Sequence, residues 1–227
     1  NSIPVSEFVL SAILFFSKKF SDCLKFKKNK EWTQWEIAKK NETLENKTLG
    51  IIGYGSIGKA IAKKVKAFNM NVIGIKRLQK KKETKKYIDE LLPINKLDYL
   101  LSNSDYIVIS CPLTPLTKKL LNKRRLSLIS KNSYLINISR GKIIDEKNLI
   151  INLKKKLIKG AALDVFYNEP LDSNSELFKL ENVFLSPHIS GNYKEYQSKV
   201  IEAFTNNLIK FINNKTLKNR ICKKQLY

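Results

Sequence analysis

TLGIIGYGSIGKAIAKKVKAFNMNVIGIKR, residues 48–77, carries the reading of the fold. Leu49–Ile52 is a short, uninterrupted apolar run, and Gly53-Tyr54-Gly55-Ser56-Ile57-Gly58 follows it directly. The segment Ile57–Phe68, with Ala60, Ile61 and Val65, then reads as a helix, and a second apolar run, Val72–Ile75, comes after it. Strand, glycine turn, helix and strand in that order make a dinucleotide-binding unit. Gly53 permits the tight turn, Gly55 lets the backbone approach a pyrophosphate, and Gly58 lets helix and strand pack closely. The first turn of the helix then faces the anion with unpaired N–H groups. An acidic side chain at the end of the second strand would bind the ribose 2′-hydroxyl of NAD, but this chain has Lys76-Arg77 there. Two cations suit a 2′-phosphate, so NADP(H) is the expected cofactor, with NAD(H) the alternative if the pair belongs to the general lysine excess.

Outward from this segment the same rhythm continues. Further apolar runs fall at Tyr106–Ile109, Tyr134–Ile138, Ala161–Asp164 and Val183–Leu185, with helices expected at Asn95–Asn103, Asn122–Ser130 and Glu146–Lys156. The runs are continuous rather than alternating, as in parallel strands covered on both faces. The expectation is an α/β fold, a Rossmann-type doubly wound parallel sheet with an N-terminal linking helix and arm. Residues Ser2–Phe20 read as a helix apolar nearly all round, buried on both sides. The polar stretch up to Asn46 reads as an irregular arm, in which Trp32 and Trp35 would dock on another surface. A last helix, Lys194–Ile212, precedes a basic tail. Three regions follow: 1–46, linking helix and arm; 47–191, dinucleotide-binding domain; 192–227, C-terminal helix and tail.

Composition narrows the class. Of 227 residues 43% are hydrophobic, enough for a real core, which excludes disorder as the main state. Lys and Arg total 43 against 20 Asp and Glu, a formal charge of +23. No zinc-finger spacing, aromatic RNA-binding motif or sustained basic amphipathic helix accompanies that charge, so runs such as Lys80-Lys81-Lys82 and Lys154-Lys155-Lys156 read as solvated faces, with no nucleic-acid partner. The longest apolar stretch, Val9–Phe16, falls short of the roughly 20 residues of a membrane helix, and it has no signal-peptide flanks. Cys23, Cys111 and Cys222 are scattered and lack metal-ligand spacing, which implies free thiols, a reducing compartment and a cytoplasmic location.

Five segments together resemble the D-2-hydroxyacid dehydrogenase family: residues 48–77 above, SDYIVISCPLTPLT (104–117), LINISRGKIIDEKNL (135–149), GAALDVFYNEPL (160–171) and NVFLSPHISG (182–191). The opening NSIPVSEFVL resembles the helix that leads into the family's nucleotide-binding domain. The resemblance implies reversible hydride transfer between a nicotinamide cofactor and a small 2-oxo or 2-hydroxy acid, such as glyoxylate, hydroxypyruvate or phosphoglycerate. It implies three catalytic positions. Arg140 would pair with the substrate carboxylate and carbonyl oxygen, His188 would exchange a proton with the alkoxide, and Glu169 would orient His188. The residues agree, since His188 is the only histidine and stands just after a short strand.

By the same resemblance Ser56, Ile57, Thr117, Ile138, Ser139, Arg140 and Asp164 would serve the cofactor, Asp164 near the carboxamide, with Cys111, Pro112, His188 and Gly191 in the same pocket. Thr117 also reads as a local turn hydroxyl, and Cys111 as a packing residue with nothing beside it to make a thiolate. No metal site is expected. The family's N-terminal substrate segment would precede Asn1, so the chain would bind cofactor yet turn over poorly without it. The first helix and arm resemble the family's dimerisation elements and imply a homodimer. The rival reading is a dinucleotide-sensing interaction module, akin to corepressors of the same fold.

Overall fold

A computed structural model describes residues 1–220. It divides into two compact units, Asn1–Ser190 and Gly191–Tyr227. The first is built on an eight-stranded sheet: β1 (Thr48–Ile52), β2 (Asn71–Ile75), β3 (Glu83–Lys85), β4 (Ile88–Leu92), β5 (Tyr106–Ile109), β6 (Tyr134–Asn137), β7 (Gly160–Leu163) and β8 (Val183–Leu185). The spatial order is β3-β4-β2-β1-β5-β6-β7-β8, and only the β3–β4 pair is antiparallel. Growth of the sheet reverses direction between β1 and β5, and a ligand crevice opens beyond the carboxyl ends of strands at such a switch point.

The continuous apolar runs are explained by burial on both faces. Ile51, Val108 and Ile136 point into one core with Val9, Ile13, Ile61 and Val65, while their chain neighbours Ile52, Ile107 and Leu135 point into the other with Leu100, Leu126 and Leu149. Removing each such side chain from water is worth at most about 1.5–3 kcal/mol. The two cores are closed by α1 (Ser2–Ser17) and α4 (Ser56–Lys66) on one side, and by α5 (Leu97–Ser102), α6 (Lys123–Leu126) and α7 (Glu146–Lys154) on the other.

The six expected strands are present to within one residue at either end. The edge strand β3 and its neighbour β4 were not expected, because β4 reads Ile-Asp-Glu-Leu-Leu and its charged centre hides the apolar signal. Between β5 and β6 the expected helix shrinks to the single turn α6. Lys123, Arg124 and Arg125 put cations at the positive end of the helix, and the Ser127 hydroxyl bonds back to the Arg124 carbonyl at 2.8 Å.

The helix α1 stops at Ser17, because Lys19 turns left-handed at φ 53°. Within one chain it is buried on one face only, through Val5, Val9, Ala12, Ile13 and Phe16, whereas Ile3 is exposed. The arm is not irregular: it forms α2 (Phe20–Asn29) and α3 (Gln34–Ala38), neither with a buried residue. Trp32 and Trp35 are 80% and 67% exposed, so the body of the chain is not the surface that receives them. The second unit carries α8 (Tyr196–Ile212). The end of the basic tail, with Cys222, lies outside the described residues. No helix among the described residues is long and apolar enough to cross a membrane.

Candidate active site

The glycine turn is locked from two sides. The amides of Gly53 and Tyr54 donate to the Ile75 carbonyl at the end of β2, at 3.1 and 2.9 Å, and the Ser110 hydroxyl donates to the Gly53 carbonyl at 2.9 Å. Gly53 has φ +102°, and a Cβ there would stand 2.6 Å from the Cys111 nitrogen. At Gly58 a Cβ would meet the Gly53 carbonyl oxygen at 2.8 Å. Gly55 differs from both, since a Cβ on it would meet nothing within 4 Å. No protein packing requires glycine at 55, whereas a ligand lying against the backbone there would. The start of α4 at Ser56 and Ile57 has no side-chain cap, so its first amides are open to an anion. Lys76 and Arg77, both exposed, follow the end of β2 that holds this turn. The residues fit a dinucleotide.

Beyond β5, Cys111 is buried, and burial pushes its thiol up to about 11, which makes it a packing residue rather than a nucleophile. The Ser139 hydroxyl donates to its carbonyl and ties the ends of β5 and β6 together. Thr117 spends its hydroxyl inside its own turn, accepting from the Thr114 amide and donating to the Pro112 carbonyl, each at 2.7 Å. That is the local-turn reading of the threonine.

The three catalytic candidates come from loops after β6, β7 and β8. Arg140 follows β6 and is exposed, one guanidinium nitrogen donating to the Ser139 carbonyl at 2.7 Å. Its turn is shaped by Asn137, a fully buried side chain that sequence reading passed over. The Asn137 amide donates to the Arg140 carbonyl at 3.1 Å and its oxygen accepts the Ser139 amide at 3.1 Å. Gly141 lets this loop touch the one carrying Glu169, since a Cβ on it would fall 1.9 Å from the Phe166 carbonyl carbon. The Tyr167 amide, donating to Glu146 Oε2 at 2.8 Å, closes the same contact. An Asn that ends an apolar strand, three residues before an arginine, was the available signal.

His188 Nδ1 and Glu169 Oε2 lie 2.7 Å apart, both partly exposed. Burial pushes the Glu169 carboxyl up. The Phe166 amide at 3.0 Å, the bond and charge of His188 and the charge of Arg140 outweigh that and hold it below its usual range. With Nδ1 facing a carboxylate, Nε2 is the ring atom left to exchange a proton with a substrate. His188 itself is left-handed, φ +56°, a conformation costing an L-residue about 1–2 kcal/mol. Asp164, expected near the cofactor carboxamide, is fully buried and accepts from Ser186, Ile189 and Ser190. Ile138 is buried at the end of β6, and Gly191 opens the second unit.

A doubly wound sheet with an uncapped helix start behind a glycine turn, and polar groups gathered after its strands, defines a dinucleotide-binding domain. Residues 10–190 match the sequence profile of the "D-isomer specific 2-hydroxyacid dehydrogenase, NAD binding domain", and the chain belongs to that family. It is 40% identical over 192 residues to the glyoxylate reductase of Pyrococcus furiosus, covering 82% of this chain and 56% of that protein. A probable 2-hydroxyacid dehydrogenase from Rhizobium etli in complex with NADP superposes with a TM-score of 0.87 at 26% identity, covering 99% of this chain and 69% of the other. The NAD-dependent formate dehydrogenase of Staphylococcus aureus in complex with NAD gives 0.84 at 28% identity, covering 96% and 64%. The chain spans about half to two thirds of the length of the curated relatives it matches.

Proposed function

We propose that this chain is the cofactor-binding and acid–base half of an oxidoreductase acting on small 2-oxo and 2-hydroxy acids. The observation that carries the reading is the His188–Glu169 contact of 2.7 Å, formed between loops at the carboxyl ends of β7 and β8 and within reach of the Arg140 charge. Glu169 accepts from Nδ1 and holds the ring with Nε2 free for the substrate. His188 Nε2 then delivers a proton to the developing alkoxide during reduction and takes it back during oxidation. Arg140 binds the substrate carboxylate and polarises the carbonyl with the planar fork of its guanidinium. The nicotinamide cofactor, when bound, supplies or accepts the hydride. Gly53, Gly55, Ser56, Ile57 and Gly58 would cradle its pyrophosphate, and Pro112, Thr117, Ile138 and Ser139 would complete the pocket.

Lys76 and Arg77 support NADP(H) over NAD(H), as two cations placed where a 2′-phosphate would lie. The similarity to glyoxylate reductases supports glyoxylate or a close relative as substrate. The exposed Trp32, Trp35 and Ile3 support a homodimer formed through α1 and the arm, with residues 1–46, 47–191 and 192–227 acting as arm, cofactor domain and tail. A cytoplasmic location fits the free thiols of Cys23 and Cys111. Oxidation of NADPH and, separately, NADH by the purified chain, with a panel of 2-oxo acids, tests the proposal. Tight cofactor binding with slow turnover of glyoxylate by NADPH, abolished in His188→Ala, is expected of a chain that is one half of the enzyme. Turnover unaffected by His188→Ala, or failure to bind either cofactor, would contradict the reading.

A further inference from the structure

The acid–base pair does not hold itself in place. His188 stands in a left-handed conformation, φ +56°, in the loop after β8, where no helix or strand constrains it. What constrains it is Asp164, the residue just past β7, whose side chain is wholly buried. Its backbone carbonyl accepts the His188 amide at 2.9 Å. Its Oδ1 accepts the Ser186 hydroxyl at 2.6 Å and the Ile189 amide at 2.8 Å, and its Oδ2 accepts the Ser190 amide at 3.0 Å. Every residue from 186 to 190 that has a donor to give, all but Pro187, thus gives one to Asp164. The Asp164 amide in turn donates to the Asn137 carbonyl at 3.0 Å, beside the side chain that shapes the Arg140 turn.

We propose that Asp164 is the positioning residue of the acid–base step: its buried carboxylate winds the 186–190 loop around itself and so aims the His188 ring at Glu169. The left-handed turn at His188 brings the next two amides onto one carboxylate, and those charge-assisted bonds are what a left-handed histidine needs to persist. A carboxylate suits the task because it only accepts. An amide in its place would turn an NH2 group toward donors, leaving at least one of them unmatched in a dry site. This is a different task from the carboxamide contact that the family resemblance implies for the same position. It deepens the acid–base reading above and rests on it for its kinetic consequence alone.

The test uses the fact that the chain has a single histidine, so its ring 15N signals belong to His188 without assignment. At alkaline pH the wild type is expected to show the proton on Nδ1, facing Glu169. In folded Asp164→Asn the ring is expected to revert to the tautomer mixture of a free imidazole. Its kcat should fall about 100-fold while KM for the 2-oxo acid, set by Arg140, changes far less. A folded Asp164→Asn with wild-type ring signals overturns the proposal. If Asp164→Asn does not fold, Ser186→Ala, which deletes one donor, decides: a partial shift of the ring signals supports the proposal and unchanged signals overturn it. Absence of turnover in the wild type would bear on the oxidoreductase reading alone and leave the ring signals to judge Asp164.

Discussion

At the scale of the residue, Glu169 is the group whose ionisation the fold alters most usefully. Burial alone would raise its pKa, but the Phe166 amide, His188 and Arg140 together hold it below the ordinary value of 4.5. A carboxyl depressed in the native state stabilises the fold fully above its unfolded value, and that stabilisation is lost as pH falls through the lowered native value. Wild type should therefore melt above Glu169→Gln at about pH 6, and the gap should close as pH is taken below about 4.5. Thermal melts across that range check it, and a gap that widens in acid would contradict the assignment. Arg77→Asp should shift the ratio of NADPH to NADH dissociation constants toward NADH by about tenfold or more, one lost charge-assisted contact being worth about 1.5–3 kcal/mol. An unchanged ratio in fluorescence titrations would remove Arg77 from the 2′-phosphate site. The candidate residues Arg140, Glu169 and His188 were legible because they lie in motifs of fixed order. Asn137 and Ser186 were not, because a polar residue ending an apolar strand reads simply as the end of the strand.

At the scale of elements, the sheet was legible where strands are buried on both faces. The periphery was legible less well. The apolar runs of β1, β2, β5, β6, β7 and β8 mark themselves, whereas β4 carries Asp89 and Glu90 and gains its place from parallel pairing with β2. Asp89 serves that pairing directly, accepting the Val72 amide at 2.7 Å and the Lys66 ammonium at 2.6 Å, a contact from 17 residues away that local pattern cannot show. The helices α2 and α3 escaped notice because no buried face gives them a period. Loop contacts across elements were equally hidden, and Gly141 is the sharpest example. Gly141→Ala would place a Cβ inside the Phe166 backbone, so the Arg140 and Glu169 loops must separate. The expected cost is about 3 kcal/mol, with turnover falling more than cofactor affinity. Denaturant melts check it, and a neutral Gly141→Ala would show that the two loops are not packed as described.

At the scale of the molecule, a doubly wound sheet places its glycine turn and the His188–Glu169 pair at the carboxyl ends of its strands, while α1, α2 and α3 leave apolar side chains in solvent. Trp32 and Trp35 are the only tryptophans of the chain. Both are exposed in a single copy, so burial in a dimer should shift their fluorescence to shorter wavelength as concentration rises through the association range seen by sedimentation. A monomer at all concentrations, with unshifted emission, would contradict the dimer. The composition made the lysine-rich surface legible but not a partner for it. Above these details stands the claim that His188 carries the proton of a hydride-transfer reaction. Its most direct test is NADPH-dependent reduction of glyoxylate by wild type and His188→Ala, with cofactor dissociation constants measured for both. The account predicts kcat lower by about 100- to 10,000-fold in the variant at nearly unchanged cofactor affinity. Equal turnover by the two proteins would contradict it.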